Sequence, residues 1–106
     1  MPAKFLVKIT RTAEADTEEI WSFIAQDSPD AADRFLRELD TQVITLERFP
    51  ERCPLIAENE LMGTRYRHLI YGEYRTIFRV SGRTVVVLRI VHGARLLDSS
   101  MFDLYP

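Results

Sequence analysis

The sequence contains little of what marks a disulfide-bonded, metal-binding or membrane protein. One cysteine, Cys53, stands alone among 106 residues, which excludes an internal disulfide and a metal site built from several thiolates. No apolar run approaches the roughly 20 residues that a membrane-spanning helix needs. The first nine residues are too short and too alternating to serve as a signal peptide. We therefore predict a cytoplasmic protein that needs no metal or other cofactor and does not contact the membrane.

Glycine and low-complexity sequence are also scarce. The chain has only four glycines, and no Gly/Ser-rich linker or internal repeat divides it. Hydrophobic residues make up 46% and charged residues 28% of the composition, which is typical of a globular domain. The length is also that of one domain. We therefore predict that residues 1–106 form a single domain.

The net charge of −2 conceals two halves of opposite sign. Residues 1–60 hold seven Lys/Arg and thirteen Asp/Glu, which gives −6, whereas residues 61–106 hold seven Arg and three Asp/Glu, which gives +4. Such asymmetry indicates a surface for an anionic target or for an acidic segment of a partner protein.

The first part of the chain predicts a strand followed by a helix. Residues 4–10 alternate loosely and contain β-prone side chains, which predicts a strand. A helix should follow from Ala13 to Gln26, with Thr12 as its N-cap and acidic residues in its first turns, where the helix dipole favours negative charge. Its apolar face is predicted to consist of Ile20, Phe23 and Ile24.

A second helix is predicted after a short break at residues 27–29. Ser28 is suited to the N-cap, and Pro29 to the first helical position, where its missing N–H would have no partner in any case. The helix should run to Arg48, because apolar residues recur at helical spacing. These residues are Ala32, Phe35, Leu39, Val43 and Leu46. The short joint predicts an antiparallel helical hairpin, and residues 50–62 are predicted to be a loop.

Three strands are predicted in the basic half, at Arg65–Tyr71, Tyr74–Val80 and Thr84–Val91. Alternation along each strand separates two faces of a sheet. The face toward the core is predicted to hold Leu69, Tyr74, Phe78 and Val80. Val86, Leu88 and Ile90 join them if the turn at residues 81–83 has three residues. The opposite face is predicted to be open and to hold Tyr66, His68, Arg75, Ile77, Arg79 and Arg89. The predicted class is therefore α+β, a small, mostly antiparallel sheet (β-α-α-β-β-β) with the helical hairpin packed on one face.

Several segments, in this order, resemble the RelE/ParE superfamily of toxins from bacterial type II toxin–antitoxin systems. They are Ala13–Ile24, Pro29–Phe35, Leu46–Pro50, Arg65, Tyr74–Arg75, Phe78–Val80 and Val91–Arg95. The joint between the helices and the ending Val91-His92-Gly93-Ala94-Arg95 look most like the ParE branch. The resemblance covers nearly the whole chain and implies the same α+β fold that the residue pattern predicts.

The resemblance implies a toxin that inhibits growth when free and that forms a hetero-oligomer with a cognate antitoxin. ParE-like members poison DNA gyrase, whereas RelE-like members cleave mRNA in the ribosomal A site. Where RelE-type toxins carry two lysines and a C-terminal tyrosine, this sequence has Tyr66, His68 and Met101. We therefore predict a gyrase poison that is not an enzyme. The alternatives are a metal-independent mRNA endonuclease that acts on the ribosome, and a decayed toxin that only binds its antitoxin.

Two overlapping sets of residues are candidates for these functions. If the chain is a ribonuclease, the resemblance assigns catalysis to His68, Arg75 and Arg95, with His68 as a general base because imidazole titrates near neutral pH. Guanidinium groups bind phosphates and other acceptor-rich surfaces bidentately. The predicted surface for the target or the antitoxin therefore consists of Arg65, Tyr66, Arg67, Arg75, Arg79, Arg89, His92 and Arg95.

The candidates also have structural alternatives. The strand arginines can form ion pairs with nearby acids on a solvated face. His68 can simply hydrogen-bond to a neighbour, and His92, just before Gly93, is suited to ordering a turn. Tyr74 is suited to the core, and Cys53 has no catalytic partner nearby in the sequence.

Overall fold

The structure, a computed structural model, describes residues 4–102 and has the predicted order of elements. Its helices are α1 (Arg11–Ala25), α2 (Pro29–Ile44) and the short α3 (Asn59–Met62). Its strands are β1 (Leu6–Ile9), β2 (Arg67–Tyr71), β3 (Tyr74–Ser81) and β4 (Thr84–His92). Short 3₁₀ turns occupy Thr45–Glu47, Pro50–Arg52 and Ser99–Phe102. The predicted α+β class is confirmed, and none of the helices within residues 4–102 is long and apolar enough to cross a membrane.

Helix α1 begins before its predicted start at Ala13, and its N-cap is Thr10 rather than Thr12. The Thr10 hydroxyl accepts a hydrogen bond from the Ala13 amide at 3.0 Å and donates one to the Leu88 carbonyl oxygen at 3.0 Å. The prediction of Thr12 was wrong because β1 ends at Ile9, so Thr10 is the first residue free to cap. One side chain therefore joins the start of α1 to β4.

Helix α2 begins as predicted and ends earlier. The Ser28 hydroxyl accepts a hydrogen bond from an amide of the first turn at 3.1 Å, and Pro29 is the first helical residue. The α-helix ends at Ile44 instead of Arg48, where the chain tightens into a 3₁₀ turn. The Arg52 guanidinium donates to the Arg48 carbonyl oxygen at 3.0 Å and so satisfies an acceptor beyond the helix end.

The four strands form one mixed sheet in the order β1-β4-β3-β2. β1 lies parallel to β4, and Ile9 pairs with Val87. β3 pairs antiparallel with both β2 and β4. The predicted strand bounds leave two residues for the turn between β2 and β3, and this is confirmed because Tyr71 pairs with Tyr74. The sheet therefore brings the first strand of the chain beside the last.

A β-bulge in β4 changes which side chains face the helices. Ile77 pairs with Arg89 and Phe78 pairs with Val87, so Leu88 is an extra residue between two neighbouring pairs. A bulge shifts the alternation of side chains by one position. The alternation predicted for the side chains of β4 therefore holds after Leu88, where Ile90 lies in the core, but not before it.

The main core lies between the helical hairpin and the sheet. Its buried residues are Ala13, Phe35, Leu39, Val43, Leu46, Cys53, Phe78, Val85, Val87 and Ile90. Val86 was predicted for this core on the condition that the turn after β3 has three residues. Ser81 pairs with Thr84, so the turn has two residues, and Val86 lies beside Arg79 instead. Leu88, predicted with it, is buried. The Tyr74 ring packs on Phe35 with centroids 5.3 Å apart, so its predicted place at the core is confirmed.

One aromatic residue of α1 lies outside this core. Phe23 was predicted to share the apolar face with Ile20 and Ile24, but its side chain is 67% exposed. The two isoleucines lie four positions apart, face the same direction and fill the contact with the core. Phe23 instead lines a groove between α1 and the last residues of β4.

The opposite face of the sheet was predicted to be open, but part of it is covered. Leu97 and Met101 of the C-terminal segment, defined as residues 93–102, pack with Ile56, Ile77 and Val91. These five buried residues form a second hydrophobic cluster on the side away from the helices. The prediction was wrong because the chain returns across this face after β4.

Candidate functional site

Arg75 lies on the covered face of the sheet, where an ion pair holds its guanidinium. Only 7% of the residue is exposed. Its Nη2 is 2.5 Å from Oε2 of Glu58, and its Nη1 donates to Oε1 at 3.3 Å. Nη2 also donates to the carbonyl oxygen of Arg95 at 2.8 Å. Arg75, predicted to lie on an open face, is therefore a buried link between β3 and the C-terminal segment.

Glu58, the partner of Arg75, was not among the predicted site residues. It occupies the N-cap position of α3, and its Oε2 also accepts a hydrogen bond from the Leu97 amide at 3.3 Å. The hydrogen bond from Arg75 lowers the pKa of Glu58 below its usual range, although burial acts in the opposite direction. Glu58 is therefore ionised at neutral pH. Nothing in the predicted loop at 50–62 marks this position as buried.

His68 lies beside Arg75 in the neighbouring strand. Its Nδ1 is 3.4 Å from Nη1 of Arg75. Because a guanidinium can only donate, this contact assigns the lone pair to Nδ1 and the proton of the neutral ring to Nε2. Burial, followed by the charge of Arg75, lowers the pKa of His68, and Glu58 partly opposes them. The ring is therefore neutral at pH 7, and its basic nitrogen already faces a donor.

Arg75, Glu58 and His68 together form a closed polar cluster, which we call the Arg75 cluster. A phosphate could pair bidentately with Arg75 only by displacing Glu58 from it. The Nε of Arg75 is buried and has no hydrogen-bond partner among the described residues. Within residues 4–102, no group of three or more His, Cys, Asp or Glu side chains could hold a metal ion. Any chemistry at this site would therefore depend on opening the cluster.

Arg95 contributes to the Arg75 cluster through its backbone rather than its side chain. The preceding turn is ordered by His92, whose Nδ1 accepts a hydrogen bond from the Ala94 amide at 3.1 Å. The side chains of His92 and Arg95 are exposed and line the groove that contains Phe23. The side chain of Arg95 is therefore placed to contact a partner, whereas its backbone carbonyl oxygen holds the guanidinium of Arg75.

Arg89 forms a second ion pair, with Asp16 of α1. Its Nε is 2.7 Å from Oδ2 of Asp16, and its Nη2 donates to Oδ1 at 2.9 Å. Asp16 also accepts a hydrogen bond from the Ile90 amide at 3.0 Å, and Arg89 donates to the Met101 carbonyl oxygen at 3.0 Å. The hydrogen bond to Asp16 raises the pKa of Arg89. Arg89, predicted for an open binding face, therefore joins α1, β4 and the C-terminal segment.

Asp16 was also missed by sequence reasoning, although the sequence carries a signal for it. It lies three residues after the buried Ala13 and four before Ile20, so it belongs to the stripe of α1 that faces the sheet. An acid on such a stripe needs a buried partner. The abundance of other acids in α1 concealed this one.

The remaining predicted residues divide into structural and exposed groups. Arg67 donates to the Cys53 carbonyl oxygen at 2.6 Å and so holds the preceding turn against β2. The Tyr66 ring packs against Phe102 with centroids 5.0 Å apart. The exposed members are Arg65, Arg79, His92 and Arg95. The structure thus brings His68, Arg75 and the backbone of Arg95 together at one site, whereas the side chains of the exposed members lie outside it.

The sequence matches the profile of the ParE toxin of type II toxin–antitoxin systems over residues 7–97. This chain belongs to the ParE toxin family. The ParE match includes both long helices, all but the start of the sheet, and the Arg75 cluster. Met101, at the position of the RelE-type tyrosine, lies beyond the matched range and is buried in the second hydrophobic cluster.

Solved structures of two toxin–antitoxin complexes resemble this ParE-family chain. The chromosomal ParDE system of P. aeruginosa has 26% sequence identity and a TM-score of 0.66, with 84% of this chain and 96% of that chain covered. The RelBE complex of Mycobacterium tuberculosis has 26% identity and a TM-score of 0.60, with 84% and 98% covered. No curated protein matches the sequence significantly. A complex from each branch of the superfamily therefore shares this fold.

Proposed function

We propose that this ParE-family protein acts in the cytoplasm as the toxin of a type II toxin–antitoxin system and poisons DNA gyrase without chemistry of its own. The observation that carries the non-catalytic assignment is the closed Arg75 cluster. Metal-independent RNA cleavage needs a base for the 2′-OH proton and a cation for the charge that develops on the phosphate. Here the base nitrogen of His68 faces Arg75, and Glu58 neutralises Arg75.

The exposed members of the predicted set are proposed to contact the target. They are Arg65, Arg79, His92 and Arg95. The buried or half-buried members, Tyr66, Arg67, Arg75 and Arg89, are proposed to hold this surface in shape, because each contacts a second segment of the chain. Exposed arginines suit an acceptor-rich protein surface, since each presents donors in a fixed fork.

A cognate antitoxin is proposed to bind the basic half and the helical hairpin through an acidic, amphipathic segment that is partly disordered when free. The outer edge of β2 offers a place for an added strand. Residues 53–56 cover this edge only as far as His68, whose amide donates to the Pro54 carbonyl oxygen at 3.2 Å. Ile70, further along the same edge, is 62% exposed.

Co-expression with the product of the neighbouring gene tests the antitoxin proposal. We expect the two proteins to copurify through a tag on one of them. Ile70→Asp should weaken the complex, whereas Leu61→Asp, at a position that is 93% exposed and outside β2, should leave it intact. Separation at moderate salt, together with a harmless free toxin, would contradict the proposal.

Two assays in vitro test the choice of target. The purified protein is expected to inhibit supercoiling by DNA gyrase and to leave mRNA on programmed ribosomes uncut. In the host, expression without the antitoxin should arrest growth with DNA-damage signals, and His68→Ala should keep the toxicity. If transcripts are cut within codons while supercoiling is normal, the gyrase proposal is wrong.

The second candidate function is the ribosome-dependent mRNA endonuclease, and the 3.4 Å approach of His68 to Arg75 is the observation that favours it. On this hypothesis, the ribosome or mRNA would displace Glu58, and Arg75 would pair with the scissile phosphate. Glu58→Gln should then increase cleavage, and His68→Ala should lower it roughly a hundred- to ten-thousand-fold. A protein that is inactive in both assays but binds its antitoxin would be the decayed toxin.

A further inference from the structure

The part of the sheet face that the C-terminal segment leaves uncovered contains a basic pocket of about 470 Å³. Lys8 of β1, Arg11 of α1 and Arg79 of β3 line it, with Ser81 and Thr84 beside them. The three cations come from three different elements. The pocket is separate from the Arg75 cluster, and none of its lining residues belongs to that cluster.

Strand pairing places these charges together. Lys8 and Arg79 both pair with Val86, one from each side. The side chains of Lys8, Val86 and Arg79 therefore form a row across the sheet on the same face. Arg11 begins α1 two residues after β1 ends, at the end of the helix where the dipole is positive. The fold therefore concentrates positive charge that lies far apart in the sequence.

The cations of the basic pocket lack acidic partners among residues 4–102. None of the three forms a salt bridge within the described part of the chain, whereas Arg75 and Arg89 are paired with Glu58 and Asp16. No carboxylate or amide side chain lines the pocket. Its side chains therefore offer positive charge and hydrogen-bond donors. Among the described residues, the only side-chain acceptors that line it are the hydroxyls of Thr10, Ser81 and Thr84, and that of Thr10 already accepts from the Ala13 amide.

We propose that the basic pocket binds phosphates of a nucleic-acid backbone. A phosphodiester carries acceptors only, which matches the lining, and Arg, Lys, Ser and Thr are the side chains that commonly contact phosphates. An acidic peptide fits less well because its backbone N–H groups need acceptors that the pocket scarcely provides. This inference does not rest on the proposed action against gyrase, and it adds a direct contact with nucleic acid.

Fluorescence anisotropy of the full chain with labelled 20-base-pair duplexes tests the proposal. If all three cations contact phosphates, affinity for duplex DNA should fall roughly forty-fold between 50 and 200 mM salt. Removing one contact by Lys8→Gln, Arg11→Gln or Arg79→Gln should reduce that fall to roughly twelve-fold and weaken binding at low salt. A DNA duplex, an RNA duplex and a single strand in separate arms identify which backbone binds most tightly.

Arg37→Gln is the matched control, because Arg37 is exposed on α2, outside the pocket, and the variant loses the same charge. It should bind like the original protein, and thermal melting should show all variants folded. Equal loss in Arg37→Gln and the pocket variants would overturn the proposal, as would absence of binding at 50 mM salt. Pocket-dependent binding of an acidic peptide but no nucleic acid would also overturn it. These assays contain no gyrase, so their failure is distinct from failure of the proposed function.

Discussion

At Arg75, a charge predicted for an open binding face is part of the folded interior. A half-exposed arginine could be replaced with little loss of stability, but Arg75 and Glu58 have side chains that are only 8% and 11% exposed. Removing one partner of a buried pair leaves the other as an uncompensated charge. Loss of toxicity in an Arg75 variant would therefore reflect folding as well as binding.

We expect Arg75→Ala to lower the free energy of unfolding by about 3–5 kcal/mol, because Glu58 would stay buried without its partner. Urea denaturation measures this change. Arg79→Ala, which removes an exposed arginine from the same strand, should change stability by no more than about 0.5 kcal/mol. Equal stability of the two variants would show that the Arg75–Glu58 pair contributes nothing to folding.

His68 and Glu58 make stability depend on pH. Both have a folded-state pKa below the ordinary value, 6.5 for His68 and 4.5 for Glu58, so the unfolded chain binds each proton more tightly. The contribution of His68 is complete above pH 6.5 and is lost as the pH falls through and below that value. The contribution of Glu58 is lost as the pH falls below 4.5.

The midpoint of urea unfolding should therefore decrease between pH 7 and pH 5. His68→Gln should flatten this decrease, because glutamine cannot take up the proton but still offers an acceptor to Arg75. His92→Gln is the control and should retain the decrease, since His68 is still present. A slope that is unchanged in His68→Gln would assign the pH dependence to another group.

At the scale of elements, Asp16 of α1 is bound both to the Arg89 side chain and to the β4 backbone at Ile90. We expect Asp16→Ala to destabilise the fold by about 3–5 kcal/mol, because Arg89 would lose its buried partner. Asp16→Asn should cost less, since its side-chain oxygen can still accept from the Ile90 amide. Faster hydrogen exchange of that amide in Asp16→Ala, beyond the effect of lower global stability, would locate the damage.

Glu14→Ala is the matched control for Asp16, because Glu14 is an exposed acid in the same helix. It should change the free energy of unfolding by about 0.5 kcal/mol or less. If Asp16→Ala behaves like Glu14→Ala, the ion pair with Arg89 does not hold α1 against β4.

Local patterns predicted the elements better than their contacts. Helical spacing identified α2, and the two-residue turn fixed the pairing of Tyr71 with Tyr74. The bulge at Leu88 was not predicted, because no glycine or other turn residue marks it. The ion pairs were also hidden, since Glu58 and Arg75 lie 17 positions apart, and Asp16 and Arg89 lie 73 apart. Such pairs depend on topology, and single-sequence patterns carry no information about it.

At the scale of the whole molecule, folding and toxicity must be separated. Phe78 is fully buried, so Phe78→Ala should cost about 3–5 kcal/mol through the cavity that it leaves, and toxicity should fall because the protein unfolds. Arg95→Ala should melt normally and lose toxicity, because it keeps the carbonyl that holds Arg75 and removes only an exposed side chain. Thermal melting beside a growth assay distinguishes these outcomes. An Arg95→Ala protein that melts normally and still arrests growth would remove Arg95 from the target surface.

The parallel pairing of β1 with β4 affects how the protein forms during translation. Residues 6–9 are synthesised long before their partners at 84–87, so the sheet cannot be completed until most of this domain has been made. Contacts between distant segments form slowly, because a long loop must close before they stabilise anything. The second hydrophobic cluster needs Met101 as well. A nascent chain therefore lacks the finished sheet, and an antitoxin that is already present has time to reach the protein before its fold is complete.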